Sequence, residues 1–395
     1  MTDDLAIAHR RIDQLEAALL RRTELLEQKQ SELLGIKASK AFKLASTAQK
    51  VADRLLPLHS KRRTLVKGTA KKLLAIPAAV WKKNRVANGP PSSERYASEC
   101  TPPEEYARWI AKREPSAKDL LVQRNHKFAR TPVVSIVVPV YNPPLDFLKA
   151  LVASVADQTY SRWQLILADA STDAEAIAYL DSLRDDRIIV KHLPGNGGIV
   201  GNSNAALALA TGDFIALLDH DDTLAPFALH EIVSAVNRNP EAEFFYSDED
   251  KLDFQGRRVE PMFKPDWSPE TLRARNYICH LVCVKKTLVD EVGGFRPGFD
   301  GAQDHDFVLR CTEKAKHIVH IPAVLYHWRM HAQSTAAFKG SKGYAYDAGK
   351  RAVLDHLRRL GIDAAVHDGP ILGTYQVIYH LRTQPLVSVI VPTKD

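Results

Sequence analysis

Apolar positions along the chain fall into three textures. Leu5, Ala8, Ile12, Leu15, Leu19, Leu26, Leu33 and Ile36 follow a 3-4 alternation that only Arg22 and Lys29 interrupt. That seam predicts a coiled-coil helix within 1–53 that packs on a partner, most simply a second copy of the chain. Between Lys61 and Ile76, Leu65, Val66, Thr69, Leu73 and Ile76 line one face of a basic segment, Pro77 interrupts it and Trp81 follows. From Pro132 the pattern changes again. Val133–Val140, Gln164–Ala168, Arg187–His192 and 214–218 read as strands, and Phe244-Phe245-Tyr246 opens another. Helical periodicity at Leu145, Leu148, Leu151, Val152 and Val155, and again across Asn204–Ala210, separates them. Continuous apolar strands alternating with helices predict an α/β fold with a doubly wound, mostly parallel sheet over 132–340.

These textures divide the chain further. A basic amphipathic segment and linker covers 54–93, ending in Asn88-Gly89-Pro90-Pro91-Ser92-Ser93, and a helical lead-in covers 94–131. A helix and linker are expected over 341–384. The stretch Pro132-Val133-Val134-Ser135-Ile136-Val137-Val138-Pro139 recurs as Pro385-Leu386-Val387-Ser388-Val389-Ile390-Val391-Pro392. That repeat predicts the first strand of a truncated second domain of the same type over 385–395, rather than an edge strand of the first.

Charge sharpens the division. Residues 1–130 hold 27 Lys and Arg against 14 Asp and Glu, whereas 131–395 hold 27 against 33. The excess of positive charge therefore belongs to the amino-terminal arm, where residues 54–93 contain ten basic and no acidic residues. Such a segment suits an anionic membrane surface through 54–85. Residues 54–80 contain no Phe, Trp or Tyr to stack on bases, so nucleic acid is not the expected partner. No apolar run is long enough to span a bilayer, and no signal peptide is evident. Cys100, Cys279, Cys283 and Cys311 form no zinc pattern. Few cysteines and no export signal imply a cytoplasmic setting, peripheral at the inner face of the cell membrane.

The candidate chemistry lies at the carboxyl ends of the strands, where open α/β sheets bind ligands. Pro139-Val140-Tyr141-Asn142, Asp169-Ala170-Ser171-Thr172-Asp173, Pro194-Gly195-Asn196-Gly197-Gly198 and Asp219-His220-Asp221-Asp222 follow four successive strands. Each alone reads as a turn, but together they put polar and glycine-rich loops on one edge. Three carboxylates in four residues repel one another unless a hard divalent cation lies between them.

The order of these motifs resembles a family 2 glycosyltransferase of the GT-A fold over roughly 132–335. Tyr246-Ser247-Asp248-Glu249-Asp250-Lys251, Phe263-Lys264-Pro265-Asp266-Trp267, Gly293-Gly294-Phe295 and Gly301-Ala302-Gln303-Asp304 are similar to bacterial O-antigen and capsule enzymes, rhamnosyltransferase-like members included, often built as tandem catalytic domains. The resemblance implies inverting transfer from a nucleotide-diphosphate sugar, UDP- or dTDP-linked rather than GDP-linked, to a glycan or lipid-linked glycan. It implies that Asp169 contacts the nucleobase, walled by Pro139, Tyr141 and Asn142, although Ala168 and Ala170 depart from the usual Asp-Asp-Gly-Ser pattern. Asn196, Gly197 and Gly198 would approach ribose or phosphate, and Asn204 matches a family asparagine. Asp219 and Asp221, with Asp222 beside them, would hold Mn²⁺ or Mg²⁺ against the diphosphate, and Asp219 would also touch the donor. A histidine completes the metal site in such enzymes, and His327 and His331 remain alternatives. Asp304 takes the role of catalytic base, with Gly294, Phe295 and Gln303 toward the acceptor. As a bare helix start, Asp304 would instead be an N-cap.

Two other functions fit parts of the pattern. A GT-A-like scaffold without turnover, dimerised by the heptads, would lack the base or metal carboxylates, yet all are present. A nucleotidyltransferase would show a glycine and a basic residue just after the first strand, and Pro139–Pro144 has neither.

Overall fold

The computed structural model describes residues 103–331, 343–371, 373–381, 383 and 386–392. The heptads of 3–36, the basic segment of 54–85 and the linker of 88–93 lie outside them. Two short helices lead in, α1 (Pro103–Arg113) and α2 (Ala117–Arg124). Ser116 opens α2 with a capping box, its hydroxyl accepting from the Asp119 amide while the Asp119 carboxylate accepts from Ser116.

A nine-stranded sheet follows. Its strands are β1 (Val134–Val140), β2 (Trp163–Asp169), β3 (Ile188–His192), β4 (Phe214–Leu217), β5 (Thr223–Leu224), β6 (Phe244–Leu252), β7 (Arg258–Met262), β8 (Val282–Lys285) and β9 (Ile318–Arg329). They lie in the order β3-β2-β1-β4-β8-β6-β9-β5, with β7 on β6. The first four are parallel neighbours. Beyond β4 the sheet is mixed: β8 runs antiparallel between β4 and β6, β9 returns parallel to β6, and β7 and β5 are antiparallel edges. The mostly parallel expectation therefore holds for the amino-terminal half and gives way to a mixed sheet after it. β8 enters from a loop rather than a crossover helix, so nothing forces it parallel.

Both faces of the sheet are covered, as the continuous apolar runs require. All of β1 is buried. Val134, Ile136, Val138 and Val140 join one core with Leu148, Leu151 and Val155 of α3 (Leu145–Ala156), Leu180 of α4 (Ala174–Ser182) and Leu229 and Ile232 of α6 (Ala228–Arg238). Val137 faces a second core, with Val200 and Ala206 of α5 (Gly198–Leu207), Leu288 of α8 (Lys286–Val292) and Phe307 and Leu309 of α9 (Gln303–Lys314). α7 (Pro269–Ala274) precedes β8.

After α10 (Gly343–Arg359), the expected linker contains a hairpin, β10 (Ala364–Asp368) against β11 (Tyr375–Tyr379). Residues 386–392 form no strand and join neither sheet, and Leu386 and Ile390 are 97% and 90% exposed. Among the described residues no helix is long and apolar enough to cross a membrane.

Candidate active site

β4 ends at Leu217, and the next five residues carry Asp219, Asp221 and Asp222 to the sheet edge. The three carboxylates part company there. Asp222 is fully buried, accepting the Tyr326 hydroxyl at 2.5 Å on one oxygen and the Arg329 amide at 2.7 Å on the other. It ties the loop to the end of β9. Asp221 meets His331 Nε2 at 2.7 Å, and its carbonyl accepts from Arg329 Nε at 2.9 Å. The Asp219 side chain is 45% exposed in the cleft, with His280 Nε2 at 3.8 Å.

Only one of the two candidate histidines reaches this group. His331 pairs with Asp221, whereas His327 turns to the other side of β9 and meets Asp250 at 2.6 Å in a buried network. In the β6–β9 ladder Asp250 stands opposite His327, so pleat parity sends His327 away from Tyr326. Sequence reasoning missed His280, which reaches the cleft from the loop before β8. Its ring stacks on Tyr326 at 4.4 Å between centroids, and its backbone N–H donates to Glu249 Oε2 at 3.0 Å. The signal was the Tyr246–Lys251 motif. Its buried carboxylates build the support beneath that loop: Glu249 binds both the His280 amide and Lys264 Nζ, and Lys264 also donates to the His280 carbonyl.

Asp304 sits opposite Asp219 in one small cavity that His280, Cys279, Pro139 and Ser203 also line. It occupies the first turn of α9, where Ala302 is the N-cap, so the N-cap alternative is excluded. Gln303 folds back so that its Nε2 donates to Asp304 Oδ2 at 3.0 Å, while its Oε1 accepts from the Gly301 amide at 2.7 Å. Gln303 thus holds the Asp304 carboxylate. Burial, and then the charge of Asp219, push the Asp304 carboxyl up to about 6, against the pull of His280 and the Gln303 hydrogen bond. A carboxylate with raised proton affinity, open to a cleft, is suited to accept a proton.

Other expected site residues have structural duties. Asn204 spends its amide on the Phe295 backbone, accepting from its N–H and donating to its carbonyl, both at 2.9 Å. Gly294 (φ +69°) sits so close that a Cβ would lie 2.6 Å from Asn204 Oδ1, which explains the glycine. Phe295 is buried against Phe307, with ring centroids 4.7 Å apart, and so is core as much as cleft. The Gly197 and Gly198 amides are taken by Asn202 and Asn196 side chains, at 3.1 and 2.9 Å, so the loop is closed on itself. α5 begins at Gly198, six residues before the expected helix start. Asn142 (φ +45°) ties the first loop to the second, its Oδ1 accepting from the Thr172 and Asp173 amides at 2.8 and 3.1 Å. Tyr141 is 44% exposed. Pro139 lends its carbonyl to His220 Nδ1 at 3.0 Å. Asp169 ends β2 as expected, but its carboxylate is covered, bound to the Ser171 amide at 2.9 Å and His192 Nδ1 at 2.8 Å.

The acidic cluster fits a hard dication. Loss of solvent and then repulsion from neighbouring carboxylates push the Asp222 carboxyl well above the usual range, and Asp219 is also raised although His280 pulls it back; a cation here would relieve both. Asp219, Asp222 and His280 bring ligand atoms within 4.8 Å of one another. Asp222 already has a donor on each oxygen, so Asp219 and His280 are the members of this group turned to the cleft, and Asp221 with His331 forms a neighbouring pair. Carboxylate oxygen with imidazole nitrogen is a donor set for Mn²⁺ or Mg²⁺.

Residues 135–291 match the family described as Glycosyl transferase family 2. The chain is 44% identical over 270 residues to the uncharacterized protein y4gI of Sinorhizobium fredii, covering 67% of this chain and 30% of that protein. It is 39% identical over 294 residues to the O-antigen biosynthesis protein RfbC of Myxococcus xanthus, covering 74% and 23%. The chain thus spans less than a third of either relative's length. A structure of the 1–349 segment of S. aureus TarS in complex with UDP-GlcNAc aligns with a TM-score of 0.48 at 19% identity, covering 57% of this chain and 66% of that one.

Proposed function

We propose, from the match of residues 135–291 to glycosyl transferase family 2, that this chain is a metal-dependent, inverting enzyme of surface-polysaccharide synthesis. The donor is a UDP- or dTDP-linked sugar, and the acceptor is a hydroxyl of a growing or lipid-linked glycan. The observation that carries this reading is the placement of Asp304 across a small cavity from Asp219, its proton affinity raised and its carboxylate held by Gln303. As the acceptor oxygen bonds to the anomeric carbon, its proton passes to Asp304 and the bond to the nucleoside diphosphate breaks on the opposite face. A bound Mn²⁺ or Mg²⁺ supplies charge neutralisation for the departing diphosphate. Asp219, Asp221 and His331 would hold it, with Asp222 bracing the loop through Tyr326 and Arg329. Kinship to the O-antigen biosynthesis protein supports the class of product. The heptads of 3–36 pair two copies, and the basic segment of 54–85 holds them at an anionic membrane surface.

A panel of UDP-, dTDP- and GDP-sugars with Mn²⁺, run on the wild type and Asp304→Asn, tests this. The reading stands if one donor binds only with metal and turns over in the wild type alone. If no nucleotide sugar binds under any metal condition, the domain is a scaffold.

A further inference from the structure

The nucleobase edge contains a group that the motif does not explain. Asp169 and His192 are partners in the parallel β2–β3 ladder, so their side chains leave the sheet together. His192 Nδ1 faces Asp169 Oδ2 at 2.8 Å, and its Nε2 faces Asp181 Oδ1 of α4 at 3.0 Å. A carboxylate only accepts, and an imidazole donates from both nitrogens only as the cation. The ring is therefore an imidazolium clamped between two carboxylates. Exposure runs the opposite way to the expected roles: the Asp169 side chain is 1% exposed, whereas His192 is 42% and Asp181 64% exposed.

We propose that the donor's nucleobase rests against the His192 ring, and that Asp169 acts through it as a positioning residue. This rests on the nucleotide-sugar reading above. At the ends of β1, β2 and β3 the exposed groups are the imidazolium and Tyr141, whereas the Asp169 carboxylate is buried at the edge of the ring, on its Nδ1. With both N–H groups spent on carboxylates, His192 offers its flat face and its positive charge, which attract a planar π system. The charged groups facing the ring are Asp169 from β2 and Asp181 from α4. The Asp181 hydrogen bond, then Asp169, raise the proton affinity of His192 against its partial burial.

The test is calorimetric binding of UDP, dTDP and GDP to the full chain with Mg²⁺ from pH 6 to 9, following the nucleotide that binds most tightly. His192→Ala should weaken it roughly tenfold at pH 6.5. Asp181→Asn leaves the ring in place and alters an exposed side chain. It should keep the affinity at pH 6 and move the alkaline loss of affinity to lower pH. A ring that only braced the fold would not produce that displacement. If both variants bind as the wild type does at every pH, His192 is no base platform, and the enzyme reading survives because nucleotide still binds. If the wild type binds no nucleotide, both readings fall together.

Discussion

Two acidic runs, Asp219–Asp222 and Asp248–Asp250, look alike in sequence and behave oppositely in the fold. In the second, every carboxylate has basic or amide partners. Asp248 holds the Lys264 amide and His320, at 2.9 and 2.8 Å. Glu249 holds Lys264 Nζ and the His280 amide, at 3.1 and 3.0 Å. Asp250 holds His327 and Arg258, both at 2.6 Å, and the Tyr106 hydroxyl at 2.7 Å. Burial pushes Asp250 upward, but the His327 hydrogen bond and the charges of His327 and Arg258 prevail and hold it below the ordinary carboxylate range. In the first run, burial and repulsion prevail and Asp222 is driven upward. In the first run Asp221 and Asp222 are paired, but Asp219 faces the cleft with only His280 near it, at 3.8 Å, and that carboxylate is the one open to an external cation and its anionic ligand.

The comparison can be broken most directly at Asp304, which sits opposite Asp219. Asp304→Asn should lower kcat by about a hundredfold to ten-thousandfold while donor affinity stays near wild type, read from initial rates beside calorimetric binding. A variant that turns over normally would remove Asp304 from the chemistry.

Next in size is the matched run. Asp250→Ala strands His327 in a buried setting, leaves Arg258 paired with Glu114 alone, and should cost about 3–5 kcal/mol of stability, read as a lower denaturant midpoint. A midpoint equal to wild type would show that the network contributes nothing.

The two histidines separate the runs within one strand end. His331→Gln should weaken metal-dependent donor binding by about tenfold or more, whereas His327→Gln should lower thermal stability and leave metal dependence intact. Reversed results would place the wrong histidine at the metal.

The smallest effect concerns stability and pH. The folded state raises Asp304 above its unfolded value, to about 6, so its contribution to stability is fully present below the unfolded value, near pH 4, and is lost as pH rises through 6. Asp304→Asn should therefore gain on the order of 1–2 kcal/mol at pH 7.5 and nothing at pH 3.5, in thermal melts at the two values. Because the base must be deprotonated to act, kcat/KM of the wild type should fall as pH drops through about 6. A flat profile there would break the link between environment and role.

The sequence by itself determined what depends on near neighbours. Unbroken apolar runs foretold β1, β2 and β4, the turn after β4 placed Asp219 at a strand end, and the residues after Gly301 marked the start of α9. Tertiary structure decided what depends on distant partners. The β6–β9 ladder held His327 against Asp250 while the chain left β9 after Arg329 and brought His331 to Asp221, and the loop before β8 delivered His280 to Asp219. Ring burial made Phe295 a core residue, amide pairing drew Asn204 into the fold, and His192 came to cover Asp169. The physical reason is range. Periodicity and strand ends follow from backbone geometry over a few residues, whereas the charge state and partners of a side chain follow from what other segments bring within a few ångströms of it.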